Sequence, residues 1–277
     1  AIHIPTWSAA PDTFLTAPVV AGERLSAWIL RNAGPNDDTT ALHWRVEAER
    51  APQTRLKQAI VSALQRPELL GLPDAQRSEL LAAVQALPIT GRVNVAIADA
   101  RWLQANPTQD PVLQEDHQVL IFPRPGTVSV WVGAAQPCVA AHTPGARIQD
   151  YLQACQGLPA GDLPDWAWVA QSDGSTKRFG IAPWNPELQD EPSPGAYIWS
   201  PPRAWAMANS LADNLARFLA TQAPWPTSES PVPVIVSAPV GPANLARSPM
   251  PQPTASDWGE IGLLQTPTAR MAPAGDA

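Results

Sequence analysis

The sequence predicts an α+β chain. It reads as two small β-rich modules in series, with a helical hairpin inserted in the first, an amphipathic helix after the second, and an extended Pro-rich tail. Three observations predict this. Between Asp110 and Gly133 an apolar run, Val119 to Phe122, stops at Pro123-Arg124-Pro125-Gly126, and a strictly alternating run, Val128, Val130, Val132, follows. Alternation buries one face of a strand and proline ends ladder pairing, so the stretch reads strand, breaker, strand, the junction of two modules. Leu56, Ile60 and Leu64, then Leu80, Leu81, Val84 and Leu87, recur at helical spacing. Asp173-Gly174 separates two further strands, Trp166 to Gln171 and Thr176 to Ile181. Both central residues of a tight hairpin turn need positive φ, which Asp-Gly provides.

The elements follow in order. Residues 1–50 read as strands: Leu25, Ala27 and Ile29 alternate, as do Leu42, Trp44 and Val46, around a polar turn from Asn32 to Thr40. The helical hairpin occupies 51–88. Pro67, Gly71 and Pro73 break it, and Asp74 caps its second helix. Strands return with Val93, Val95 and Ile97, then a short helical turn from Asp99 to Leu103, and the first module closes at 125. The second module, 126–202, runs strand (Val128 to Val132), strand near Val139, helix (Ile148 to Cys155), the Asp-Gly hairpin, and a last strand, Ala196 to Trp199, before Pro201-Pro202. Two strands, one helix, then more strands is the β-grasp order. A helix over 203–222 sets Ala204, Ala208, Leu211, Leu215, Phe218 and Leu219 on one face and Asn209, Asp213 and Arg217 on another. Residues 223–256 carry proline at nine positions, a semi-extended linker. Residues 257–277 are a short apolar segment, too small to fold alone.

Composition narrows the function. A chain of 277 residues that is 45% hydrophobic can build a sizeable core. No apolar run approaches the ~18 residues of a membrane-spanning helix. A net charge of −7, with Lys57 and Lys177 the only lysines, argues against nucleic acid and against anionic lipid. The twelve tryptophans are core and interface packing, or they include exposed rings that stack on sugars. The candidates for the second role are Trp166, Trp168, Trp184 and Trp199. The amphipathic helix docks on its own domain, or binds a partner or a membrane interface through Leu211, Leu215 and Phe218. Cys138 and Cys155 form a disulfide tying helix to sheet, or remain two partly buried thiols. A start at Ala1 fits a mature exported protein or a trimmed chain. There is no phosphate loop, no nucleophile elbow and no zinc spacing. The histidines (His3, His43, His117, His142) are isolated, and the acid pairs Glu115/Asp116 and Asp190/Glu191 are loop neighbours. The expectation is a non-enzyme without cofactor or metal.

Residues from about 20 to 222 resemble the GfcC/YjbG family of periplasmic capsule and exopolysaccharide proteins. The resemblance is carried by Thr90-Gly91-Arg92-Val93, Asp110-Pro111 with Leu113, Asp116, Phe122-Pro123 with Pro125, and Val128, Val130 and Gly133. It continues through Asp150-Tyr151-Leu152, Asp173-Gly174, Trp184-Asn185, Pro194-Gly195-Ala196 and Asn209. It implies two β-grasp domains similar to the soluble ligand-binding modules of capsule-export channels such as Wza. The tail, Trp258 to Met271, resembles the opening of the YjbH/GfcD outer-membrane proteins, through Gly262-Leu263-Leu264-Gln265-Thr266-Pro267 onward. Those proteins are expected to form barrels, so the chain reads as a fusion cut where a barrel begins, or as a chain that docks on one. Trp258, Leu263 and Leu264 join the candidate partner contacts. The resemblance implies a periplasmic, outer-membrane-associated accessory of polysaccharide secretion that guides or gates the polymer. The alternative is a glycan-binding module or carbohydrate-active enzyme using exposed tryptophans. Self-assembly into rings, with the 203–222 helix between copies, is a third reading.

Overall fold

A computed structural model describes residues 15–35, 37–66, 74–133, 137–156, 165–201 and 209–224. All lie within one compact unit, Ala1–Ser237. The predicted α+β architecture of two β-grasp-like domains is present.

The first sheet holds β1 (Leu15–Thr16), β2 (Leu42–Arg45), β3 (Arg92–Val93) and β4 (Gln118–Ile121), in the order β1-β4-β2-β3 with every pairing antiparallel. Helices α1 (Leu25–Asn32) and α4 (Ala100–Ala105) cover one face, enclosing Leu25, Trp28, Leu42, Leu103, Val119 and Ile121. The stretch read as a strand at Leu25 to Ile29 is therefore a helix. Leu25, Trp28 and Ile29 are the buried apolar set, and their i, i+3, i+4 spacing fits a helix better than alternation does. A distant residue starts that helix: the Asp110 carboxylate accepts from Ser26 N at 2.9 Å and Ser26 Oγ at 2.6 Å, so no local cap advertised it. Asp99 caps α4 by accepting from Trp102 N at 2.7 Å. Alternation at Val93, Val95 and Ile97 overstates β3, which ends at Val93. Val95 turns into the core while Ile97 is exposed.

The hairpin consists of α2 (Arg50–Leu64) and α3 (Asp74–Ala86), between β2 and β3, which pair Trp44 with Val93 and Arg45 with Arg92. The segment 67–73 lies outside the described residues.

The second sheet runs β6-β5-β9-β7-β8, from β5 (Thr127–Val132), β6 (Cys138–Ala141), β7 (Trp166–Ala170), β8 (Thr176–Gly180) and β9 (Tyr197–Ser200). The central pair, β5 and β9, is parallel and the others antiparallel. Alternation assigns its two faces. Val128, Val130, Ala167, Val169 and Ile198 pack on α5 (Ile148–Gln156). Trp131, Trp168, Ala170, Tyr197 and Trp199 face Ile60, Leu64, Leu80 and Val84 of the hairpin and Leu211, Leu215 and Phe218 of α6 (Asn209–Leu219). The register aligns Trp131, Trp199, Trp168 and Arg178 in one row across four strands. Each indole buried there contributes about 4–6 kcal/mol of transfer free energy. Cys138 and Cys155 are disulfide-bonded, with Cα atoms 5.8 Å apart, tying β6 to α5. Closing so short a loop contributes about 3 kcal/mol.

Candidate functional site: the module junction and the Trp184 loop

The motif Thr90-Gly91-Arg92 lies where the two β domains meet. Gly91 has φ +71°, and a Cβ there would stand 2.7 Å from the Val46 carbonyl, so only glycine fits. That turn points the Arg92 guanidinium into the junction. It donates to the carbonyls of Ala220 (3.0 Å), Leu42 (3.4 Å) and Ser172. Those carbonyls belong to the end of α6, to β2 and to the β7–β8 turn. Gln53 of α2 braces the motif: its Oε1 accepts from Gly91 N at 2.8 Å and its Nε2 donates to Arg92 O at 2.9 Å. Thr90 Oγ1 donates to Thr221 O at 2.7 Å. Burial pushes Arg92 down to about 10, with the charges of Asp173 and Tyr197 acting in the opposite direction. Burial pushes the Tyr197 hydroxyl up, and it donates to Ala223 O. The fork geometry of arginine lets one side chain hold three segments.

The other motif residues are architectural too. Asp173 Oδ1 accepts from Ser175 N at 2.7 Å, and Gly174, at φ +90°, completes the hairpin turn. The backbone N–H of Arg147 donates to Asp150 Oδ2 at 2.8 Å at the start of α5. Asn185 accepts from Ala182 N at 3.0 Å and donates to Asp165 O at 3.1 Å.

The four candidate stacking tryptophans separate. Trp199 and Trp168 are buried at 1% and 3% exposure beneath α6 and the hairpin, so neither ring is open to a glycan. Trp168 Nε1 donates to Asp213 Oδ1 at 2.6 Å, fixing α6 to the sheet. Trp166 is half-buried, with the Arg178 guanidinium 4.4 Å above its ring. Trp184 alone of the four is exposed, at 67%. Its loop is pinned: besides the Asn185 bonds, Gly180 N donates to Glu187 Oε2 at 3.0 Å and Glu187 N to Gly180 O at 3.2 Å. Leu188, 95% exposed, lies four residues on.

Leu211, Leu215 and Phe218 are buried against the molecule's own hairpin and sheet, so they are not free to bind a partner. Trp258, Leu263 and Leu264 lie outside the described residues. Among the described residues no group of three or more His, Cys, Asp and Glu is placed to hold a metal, and no helix is long and apolar enough to cross a membrane. Reading motifs by residue type missed Gln53, Trp44 and Trp102. The last two line an open cleft; alternation reads Trp44 as a strand residue and nothing more. Only Trp102 has the cleft's amides and hydroxyl, Asn94, Thr108 and Gln109, close by in sequence.

The family model described as capsule biosynthesis GfcC C-terminal matches residues 136–224. A protein of Escherichia coli (strain K12) described as uncharacterized protein YjbG is 32% identical over 116 residues. That alignment covers 42% of this chain and 46% of that protein, so the chain matches just under half of its relative's length. Both findings support a GfcC/YjbG family protein.

Proposed function

We propose that this chain, a GfcC/YjbG family protein, is a non-enzymatic periplasmic accessory of capsule or exopolysaccharide secretion. It docks on, or is joined to, an outer-membrane barrel of the YjbH/GfcD type, and guides or gates the polymer without altering it. The observation that carries this reading is the match of residues 136–224 to a capsule-biosynthesis family. The disulfide between Cys138 and Cys155 agrees with an oxidising compartment. The motif residues fit a scaffold: their polar groups hold turns, helix starts and the module junction.

One observation favours a second reading, a glycan-binding module. Trp184 stands exposed on a loop held by its own hydrogen bonds, the preorganised aromatic that sugar stacking requires.

Deleting the gene in its host and locating the polysaccharide tests the first reading. The expected result is chemically normal polymer retained in the periplasm. Polymer that reaches the surface with altered length or substitution overturns it.

A further inference from the structure

The first β domain carries a cleft of about 220 Å³ that neither the motifs nor the junction accounts for. It opens where the chain leaves β3 after Val93. Trp44 of β2 and Trp102 of α4 line it, together with Asn94, Ile97, Thr108 and Gln109. No lining side chain carries a formal charge.

Both indoles are partly buried against the core of the first domain. Trp44 Nε1 donates to His117 Nδ1 at 3.2 Å, and the two rings meet edge to face at 5.4 Å. Gln114 N donates to the same His117 nitrogen at 3.1 Å, so Nδ1 is a shared acceptor that carries no proton. Trp102 sits in the first turn of α4, whose start Asp99 caps. The polar side chains are in the opposite condition. Among the described residues, the amides of Asn94 and Gln109 and the hydroxyl of Thr108 make no side-chain hydrogen bond, and Asn94 and Gln109 are exposed.

Fixed aromatic surface beside free amides and a hydroxyl is the chemistry that recognises a pyranose. The ring offers apolar C–H surface for stacking and a rim of hydroxyls that both donate and accept. The absence of charge selects further, because an anionic sugar would lose its hydration here with no cation to replace it. The volume is below the ~300 Å³ at which sites for drug-sized ligands begin, which suits one sugar unit. Asn94 also borders a second depression of about 190 Å³, with Arg92, Thr176, Arg217 and Thr221 on its walls, so a neighbouring unit has somewhere to lie and the selection against charge applies to the cleft alone.

We propose that this cleft, built on Trp44 and Trp102, binds one uncharged sugar unit within a polysaccharide chain. The proposal rests on the reading that the protein handles a secreted polysaccharide, and it moves the sugar contact from the second domain to the first.

The test uses the full chain labelled with 5-fluorotryptophan, with indole resonances assigned from single Trp→Phe variants. The probes are oligosaccharides of about four to eight units released from the source strain's surface polysaccharide, with cellohexaose and trigalacturonate as neutral and acidic comparators. The expected result is that the resonances of Trp44 and Trp102 shift while that of Trp184 does not, and that trigalacturonate shifts neither. Asn94→Ala and Gln109→Ala, at exposed positions that leave the fold intact, should each weaken binding about three- to tenfold, the worth of one hydrogen bond. Trp102→Ala should weaken it more. Shifts at Trp184 alone, unchanged affinity in both amide variants, or no binding of any probe overturns the proposal. Failure of the cleft and failure of the secretion role are separable. Polymer trapped on gene deletion with no shift at Trp44 or Trp102 removes the cleft and leaves the role. The two shifts without any export defect do the reverse.

Discussion

Two seams join the β domains, and they are made of different chemistry. The first is apolar: the row Trp131, Trp199, Trp168 lies under Ile60, Leu64, Leu80 and Val84 of the hairpin and the inner face of α6. The second is polar. His43 and Arg92 share a crevice with Ser172, Tyr197 and Gln222, closed by hydrogen bonds from Arg92 and Thr90 to backbone carbonyls. Area burial is non-directional and tolerates small slips, whereas a guanidinium that must meet three carbonyls does not. The apolar seam therefore supplies most of the stability, and the polar seam fixes how one sheet sits on the other. The hairpin belongs to the first domain by sequence and covers one face of the second domain's sheet, so that face has no core without the first domain.

Breaking the apolar seam should have the largest effect. Trp199→Ala is expected to lower the unfolding free energy by about 3–5 kcal/mol, as for other buried Trp truncations. Urea denaturation followed by far-UV circular dichroism measures it. A loss below about 1 kcal/mol would mean that the hairpin and α6 do not hold that sheet face in solution.

Arg92→Met probes the polar seam. It removes a desolvated cation but leaves the carbonyls of Ala220, Ser172 and Leu42 short of a donor, at a net cost of about 1–3 kcal/mol. Arg92→Lys should not rescue it, because one ammonium cannot reach three segments. If lysine restores full stability, charge alone was acting and the claim about orientation fails.

A smaller effect, set by pH, separates the seams further. His43 is buried at 1% exposure, its Nδ1 has no partner among the described residues, and its ring meets Phe122 edge-on at 4.9 Å. Burial, then the charges of Arg92 and Arg45, hold its pKa well below 6.5. Below about pH 6.5 the unfolded chain takes up a proton that the folded chain refuses, so stability falls as pH drops and levels off only at the folded pKa. The slope from this one group is at most about 1.4 kcal/mol per pH unit. His43→Phe should flatten the curve below about pH 6.5; an unchanged slope would assign the acid sensitivity to other groups.

The sequence made some of this legible. Strand alternation placed Val128, Val130 and Val132 on one face, and Asp173-Gly174 marked its hairpin, because both signals act over a few residues. The hairpin was readable for the same reason. What failed was non-local. α1 looked like a strand because Leu25, Ala27 and Ile29 alternate, and the carboxylate that would have marked a helix start, Asp110, lies 84 residues from Ser26. Trp168 and Trp199 looked like possible sugar platforms because nothing in a local run tells that helices from another part of the chain will cover them. The partner face expected at Leu211, Leu215 and Phe218 was a correct amphipathic pattern whose apolar side meets the molecule itself.

The smallest expected change in stability is at Trp184, and it completes the contrast among the tryptophans. Its ring is 67% exposed, while the bonds that shape its loop come from Asn185, Glu187 and the backbone of Gly180 and Ala182. Trp184→Ala should therefore shift the unfolding free energy by less than about 0.5 kcal/mol, the range of ordinary surface changes. The same substitution costs several kcal/mol at Trp199, though the two residues lie only fifteen positions apart on one domain. With the fold intact, polymer export in a Trp184→Ala strain then reads contact alone. A retained polymer would make this loop a docking point, whereas normal export would leave Trp184 an exposed ring without a role in secretion. A large loss of stability would instead mean that the Trp184 ring packs on another part of the chain in solution.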